Sequence, residues 1–203
     1  MTTIVEHFIG SEETVISFSG TGSENTDRVN EEFYNLYKHG YNVIFVMDNE
    51  RSWFNEVDVE TIVSKIKTKT VYAIGNSMGA FNACMFSSMY KVDAVVGFSV
   101  QYSIKPEIVP WERRWGEWTS RINNWKFDHI TFSEDTRYLI INGDQEGDNY
   151  HLELIPNNKN IKKVLRHNDG HLFTYILKEQ NKLYDIINDF LRYDTVNQFC
   201  YTS

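Results

Sequence analysis

Residues 75–79 read Gly-Asn-Ser-Met-Gly, between a short apolar run at 71–74 and a stretch at 80–89 that continues as a helix. A serine hydroxyl is a weak nucleophile until the backbone presents it and a base takes its proton. A sharp strand-to-helix turn does the presenting: it strains the serine, needs small neighbours, and leaves the oxygen standing above the sheet. Gly75 and Gly79 supply that clearance around Ser77. The following helix aims its first amides at the place where a negative oxygen would form in acyl transfer. An ordinary glycine-containing turn reads the same way, so the case depends on a base and an acid elsewhere.

The base candidates stand in His167-Asn168-Asp169-Gly170-His171, a loop after an apolar strand at 161–166. His171, behind a glycine, is free to reach back over the sheet edge, and it is expected to be the general base and acid. His167 competes but belongs to the strand's end. The two also have i, i+4 spacing, yet no helix, intervening glutamate or third ligand supports a metal site. The acid that orients the imidazole should follow the strand at 138–142. Three carboxylates do so: Asp148 ranks first, Asp144 second and Glu146 third, with a helix cap and a turn residue as the plainer roles of the first two.

The elements that must carry these groups alternate between strand and helix, which calls for a mostly parallel sheet covered on both faces. Strands are expected at 4–9 and 14–18, joined as an antiparallel hairpin at Gly10-Ser11, and then at 41–47, 71–74, 92–100, 137–142 and 161–166. Helices are expected at 27–39, ended by Gly40, at 57–67, at 80–89, briefly at 149–155, and as one long helix over 172–192. A single domain at 1–193 is followed by a poorly ordered tail at 194–203. One insertion, about 101–135, breaks the alternation with two prolines and four tryptophans. Trp111, Trp115 and Trp118 have helical spacing there. They form either one face of a packed helix or a cap over the site, and the second is preferred because long insertions between core strands build binding walls. Arg51 and Trp53, in the loop after the strand at 41–47, could contact a carboxylate or a sugar ring; Trp111 and Trp115 complete the candidate substrate contacts.

The order serine, acid, histidine is that of the α/β-hydrolase superfamily, which the chain resembles over about residues 4–192. The residues that carry the resemblance are Gly75-Asn76-Ser77-Met78-Gly79, Gly170-His171 and the strand-end loop Ser19-Gly20-Thr21-Gly22. Where that family has a His-Gly pair, this chain has Ser19-Gly20. The resemblance implies an α/β-hydrolase fold and an oxyanion hole built from the amides of Met78 and Thr21. The spacings Asp148-x-x-His151 and His171-(x)5-Leu177 make the chain similar to small hydrolases of bacterial surface-polysaccharide pathways. The implied activity is that of a serine hydrolase on a small acyl or acetyl ester, through an acyl-enzyme and without cofactor or metal. Thioesterase or peptidase chemistry uses the same machinery.

Length and composition bound the alternatives. The 203 residues suffice for one substantial core, and 13 Phe, 12 Tyr and 5 Trp suit a globular protein. A net charge of −8 argues against a nucleic-acid partner. The two cysteines, Cys84 and Cys200, make no disulfide framework, and no signal peptide or membrane-spanning window stands out, so a cytoplasmic setting is expected. Oligomeric state is not legible. A rival parse of 14–48 as a dinucleotide unit, with Gly20-x-Gly22 and Asp48, has Asn25 where a third glycine belongs and an acid that comes late. It also leaves Ser77 and His171 idle. A hydrolase fold kept only as a binding module is the other rival.

Overall fold

A computed structural model describes residues 1–22, 30–145 and 147–201. Seven strands form one sheet: β1 (Thr2–His7), β2 (Glu13–Phe18), β3 (Asn42–Asp48), β4 (Thr70–Asn76), β5 (Ala94–Phe98), β6 (Arg137–Gly143) and β7 (Ile161–Arg166). Their spatial order is β1-β3-β2-β4-β5-β6-β7, with every pairing parallel except that of β1 with β3. Residues 15–18, 43–48 and 94–98 are buried without a break, as strands covered on both faces must be. Alternate side chains feed two cores. Ile16, Ile44 and Ala73 face α1 (Val59–Lys65) and α2 (Met78–Met89). Val15, Val43 and Tyr72 face the opposite core, built with residues of α5 (Phe173–Glu179) and α6 (Leu183–Tyr193). The expected architecture, a mostly parallel sheet with helices on both faces, is present.

Several expectations about elements are corrected. The first two strands do not form a hairpin. β2 is buried on both sides and takes β3 and β4 as neighbours, which leaves β1 the outer, antiparallel place beside β3. The side chain of Asn42 closes the connecting turn, accepting from the Ile9 and Ser11 amides at 2.9 and 3.1 Å and donating to the Ser11 carbonyl at 2.7 Å.

The helix expected at 27–39 is a 3₁₀ turn over Tyr34–His39; its first three residues lie outside the described ones. Tertiary bonds draw the preceding segment away from helix. The Glu32 carboxylate accepts from the Gly20 amide, and its carbonyl accepts from the Ser17 hydroxyl at 2.6 Å.

The long C-terminal helix is two helices. Asn181 adopts φ 57°, and the Lys182 and Asn181 amides donate back to the Leu177 and Lys178 carbonyls at 2.9 and 3.0 Å, which closes α5 and redirects the chain into α6. The bend lets Phe173 and Leu177 meet the same core as Ile186, Ile187 and Phe190.

Residues 194–201 are packed, since Cys200 is fully buried and Lys182 stands 5.1 Å over the Phe199 ring. Both cysteines are free, and burial pushes the Cys200 thiol up to about 12.

The insertion contains one short helix, α3 (Gly116–Thr119), too brief to place three tryptophans on a common face. Its partly buried Tyr102, Trp115, Trp118, Trp125 and Phe127 pack instead against the core under α1 and α2. Asn55 fastens it there through bonds to the Phe127 amide and carbonyl at 2.9 and 3.1 Å. Among the described residues, no helix is long and apolar enough to cross a membrane.

Candidate active site

Ser77 sits between β4 and α2 with φ 56° and ψ −122°, a conformation L-residues seldom hold. The surrounding backbone enforces it. The Ser77 amide donates to the Phe98 carbonyl at 2.9 Å, and its carbonyl accepts from the Ala80 and Phe81 amides. The flanking glycines are required by contact. A Cβ on Gly75 would lie 2.1 Å from the Gly79 carbonyl group, and one on Gly79 would lie 2.2 Å from the Phe18 carbonyl oxygen. Met78 opens α2, so its amide has no carbonyl to serve inside the helix.

His171 follows β7 in a loop held at several points. Arg166 and Asp169 form a buried ion pair at 2.5 Å, the Ser99 hydroxyl donates to the His171 carbonyl at 2.7 Å, and the Asp169 carbonyl accepts from the Gln145 amide. The ring thus comes to lie 2.9 Å from the Ser77 Oγ through Nε2 and 2.7 Å from the Asp148 Oδ2 through Nδ1. Facing a carboxylate, Nδ1 carries the proton and donates, which leaves Nε2 to accept from the serine.

Asp148 is the first residue of α4 (Asp148–Leu154), after Gly147 at φ 85°, and its side chain is fully buried. Asn142 pins this turn by donating to the Asp148 carbonyl at 2.8 Å. Burial alone would raise the Asp148 carboxyl, but the His171 contact and the Arg114 guanidinium hold it below the usual carboxylate range.

The other two acids are placed differently. Asp144 accepts from the Asn168 amide at 2.9 Å and meets the exposed His167 at 3.2 Å, so it serves the turn and not the His171 ring. Glu146 lies outside the described residues.

The expected substrate contacts divide. Trp53 is completely buried and donates through Nε1 to Gln101 at 2.8 Å, so it is a core side chain and cannot touch a ligand. Arg51 is almost buried. Its Nε donates to the Thr21 carbonyl at 2.8 Å and its guanidinium lies 4.4 Å over Trp118, which makes it a brace for the 19–22 loop. An open pocket of about 650 Å³ runs along Arg51, Ser52, Trp118 and Arg121, and neither Ser77 nor His171 lines it. Trp111 is partly exposed and packs on His151 at 4.6 Å between ring centres. Trp115 alone of the four reaches the serine side, with its ring 5.6 Å from that of His171 and its buried indole N–H without a partner among the described residues. Asp48, the ribose-binding acid of the dinucleotide parse, is spent on the Ser52 amide and hydroxyl at 2.9 Å each.

Several site residues escaped sequence reasoning. Glu32 receives the Gly20 amide at 2.9 Å, and burial pushes its carboxyl up to about 7. Ser99, Asn142 and the Arg166–Asp169 pair fix the loops. Arg114, from the insertion, reaches Asp148, and Glu112 holds Arg114. Only one signal pointed to them: two charged residues of opposite sign, two positions apart, in the midst of a tryptophan-rich stretch. Among the described residues, no group of three or more His, Cys, Asp or Glu side chains is arranged to hold a metal ion.

No protein-family model matches the sequence, and no curated protein matches it. Solved structures do share its fold. The capsule O-acetyltransferase of Neisseria meningitidis serogroup A matches with a TM-score of 0.67 at 16% identity, over 92% of this chain and 91% of that one. A mutant of that enzyme in complex with CoA matches with a TM-score of 0.63 at 16% identity, over 90% and 91%. A serine hydrolase involved in carbazole degradation gives 0.58 at 15% identity, over 94% and 95%, and an α/β serine hydrolase homologue from Coxiella burnetii gives 0.53 at 16%, over 91% and 90%. The chain has the α/β-hydrolase fold.

Proposed function

We propose that this α/β-hydrolase-fold chain is a serine-dependent acyl-transfer enzyme acting on a small acyl or acetyl ester. The observation that carries the reading is the continuous contact Ser77–His171–Asp148, at 2.9 and 2.7 Å, with the serine held in a strained turn at the start of a helix. Ser77 Oγ attacks the acyl carbonyl while His171 Nε2 takes its proton, and Asp148 keeps the ring in the tautomer that can do so. Negative charge gathers on the carbonyl oxygen, where the Met78 and Thr21 amides receive it. Collapse expels the alcohol, protonated by His171, and leaves an acyl group on Ser77. Water, deprotonated by the same histidine, then releases the acid. Each step uses groups of this chain, and no cofactor takes part. Trp115 forms the wall beside His171.

A second reading replaces water by a hydroxyl acceptor, which makes the chain an O-acetyltransferase. Its support is the higher TM-score of the capsule O-acetyltransferase, 0.67 against 0.58 and 0.53 for two of the serine hydrolases. Both readings share the acyl-enzyme and differ only in what resolves it.

Incubation with p-nitrophenyl acetate is expected to release p-nitrophenol and to leave one acetyl group on Ser77, detected by mass spectrometry of the intact protein. Ser77→Ala should lose both while its circular dichroism is unchanged. Turnover that survives in Ser77→Ala would refute the assignment. Acetyl-CoA offered as donor, with and without a sugar alcohol as acceptor, separates hydrolysis from transfer.

A further inference from the structure

The carboxylate of Asp148 has a second oxygen, and that oxygen too is paired. While Oδ2 meets His171, Oδ1 accepts from Arg114 Nη2 at 2.8 Å. Arg114 belongs to the insertion and stands next to Trp115. The guanidinium is itself gripped by Glu112, with Nε to Oε1 at 3.0 Å and Nη2 to Oε2 at 2.5 Å, while the Arg114 amide donates to Oε1 at 2.9 Å. Behind Glu112 stands His151, fully buried on the last turn of α4, with Nε2 donating to Oε2 at 3.1 Å. One chain of contacts therefore runs from the serine through His171, Asp148, Arg114 and Glu112 to His151. It ties the insertion to the same helix that Asp148 begins.

We infer that Arg114 is a positioning residue for the acyl-transfer site: it holds the Asp148 carboxylate in the orientation that meets His171, and Glu112, backed by His151, holds Arg114 and balances its charge. The inference rests on the proposed role of Ser77, His171 and Asp148. Its physical content lies in geometry and in charge.

A guanidinium is a planar fork that can serve two carboxylates at once, which an ammonium cannot. Rotation of the Asp148 carboxylate away from His171 would break both of its contacts. The charges matter because His171 becomes an imidazolium when it takes the serine proton. Arg114 Nη1 lies 3.5 Å from His171 Nδ1, two N–H groups face to face, so its cation opposes that protonation directly. Glu112 returns a negative charge to the same neighbourhood. Asp148, Arg114 and Glu112 together present one net negative charge to the ring, while Asp148 and Arg114 alone would present none. This arrangement makes the insertion part of the site, joined to it by buried ion pairs.

The test is the rate of Ser77 labelling by a fluorophosphonate across pH, together with steady-state turnover of p-nitrophenyl acetate, for Arg114→Met, Arg114→Lys and Glu112→Gln. Arg114→Met should lower kcat about tenfold with KM unchanged, and should move the acid limb of the profile to higher pH by about one unit, because a cation beside the imidazole is gone. Glu112→Gln should move the same limb the other way, to lower pH. Arg114→Lys retains the cation but not the fork, and should leave the limb in place while kcat falls.

Limbs that stay put, or that move in the same direction in Arg114→Met and Glu112→Gln, overturn the inference. Thermal melts identify any variant that fails to fold, and the shift of the surviving charge variant, Arg114→Met or Glu112→Gln, is then read against wild type and Arg114→Lys. If wild-type Ser77 is not labelled at all, the acyl-transfer reading fails and this one with it. If labelling is normal and abolished by Ser77→Ala while the limbs do not separate, only the role of Arg114 and Glu112 falls.

Discussion

Ser77 holds φ 56° and ψ −122° against the preference of its own side chain, and such a conformation costs about 1–3 kcal/mol. The surrounding sheet and helix sustain it. Ser77→Gly should therefore remove activity yet be more stable than Ser77→Ala by up to about 1 kcal/mol in urea melts, because glycine enters this region freely. A glycine variant no more stable than the alanine one would mean that the turn is unstrained. At this scale the sequence was readable where chemistry needs a fixed string or a lone loop residue, as for Ser77 and His171. It was ambiguous among Asp144, Glu146 and Asp148, since three carboxylates within five positions share one loop. Only the start of α4 at Asp148 distinguishes the buried acid from the turn residue Asp144. Trp53 misled because an aromatic ring in a rim loop looks available until the packing is known.

At the scale of elements, every strand of the expected parallel set exists within a few residues, because buried strands must be continuous apolar runs. Partners across the sheet were less legible. Nothing local told β1 to pair with β3 instead of β2, since that choice depends on which strand is covered on both sides. The single helix expected at 172–192 fails for a comparable reason: its apolar spacing persists across a break that one residue creates. Asn181, at φ 57°, ends α5. Asn181→Ala should cost about 1 kcal/mol in chemical denaturation, while Asn181→Gly should be close to neutral. Equal stability for the two would show that the turn does not depend on the left-handed residue.

For the molecule as a whole, the buried ion pairs set its response to acid. Burial would raise the Glu112 carboxyl, but His151 and Arg114 hold it at about 2, far below its ordinary 4.5, and Asp148 is lowered too. A carboxyl depressed by folding adds stability above its unfolded value, and that stability drains as pH falls toward the folded value. Melting temperature should thus drop between about pH 4.5 and 2, and Glu112→Gln should flatten this decline in calorimetry. A variant curve parallel to that of the wild type would deny the network any such role.

The distribution of the site along the polypeptide has one more consequence. Ser77 and His171 are 94 positions apart, Asp148 and His171 are 23 apart, and β4, β6 and β7 must be seated before these side chains meet. On the proposed chemistry, the serine would emerge early in synthesis but stay inert, and the growing polypeptide would become reactive only once β7 and the following loop had left the ribosome and docked.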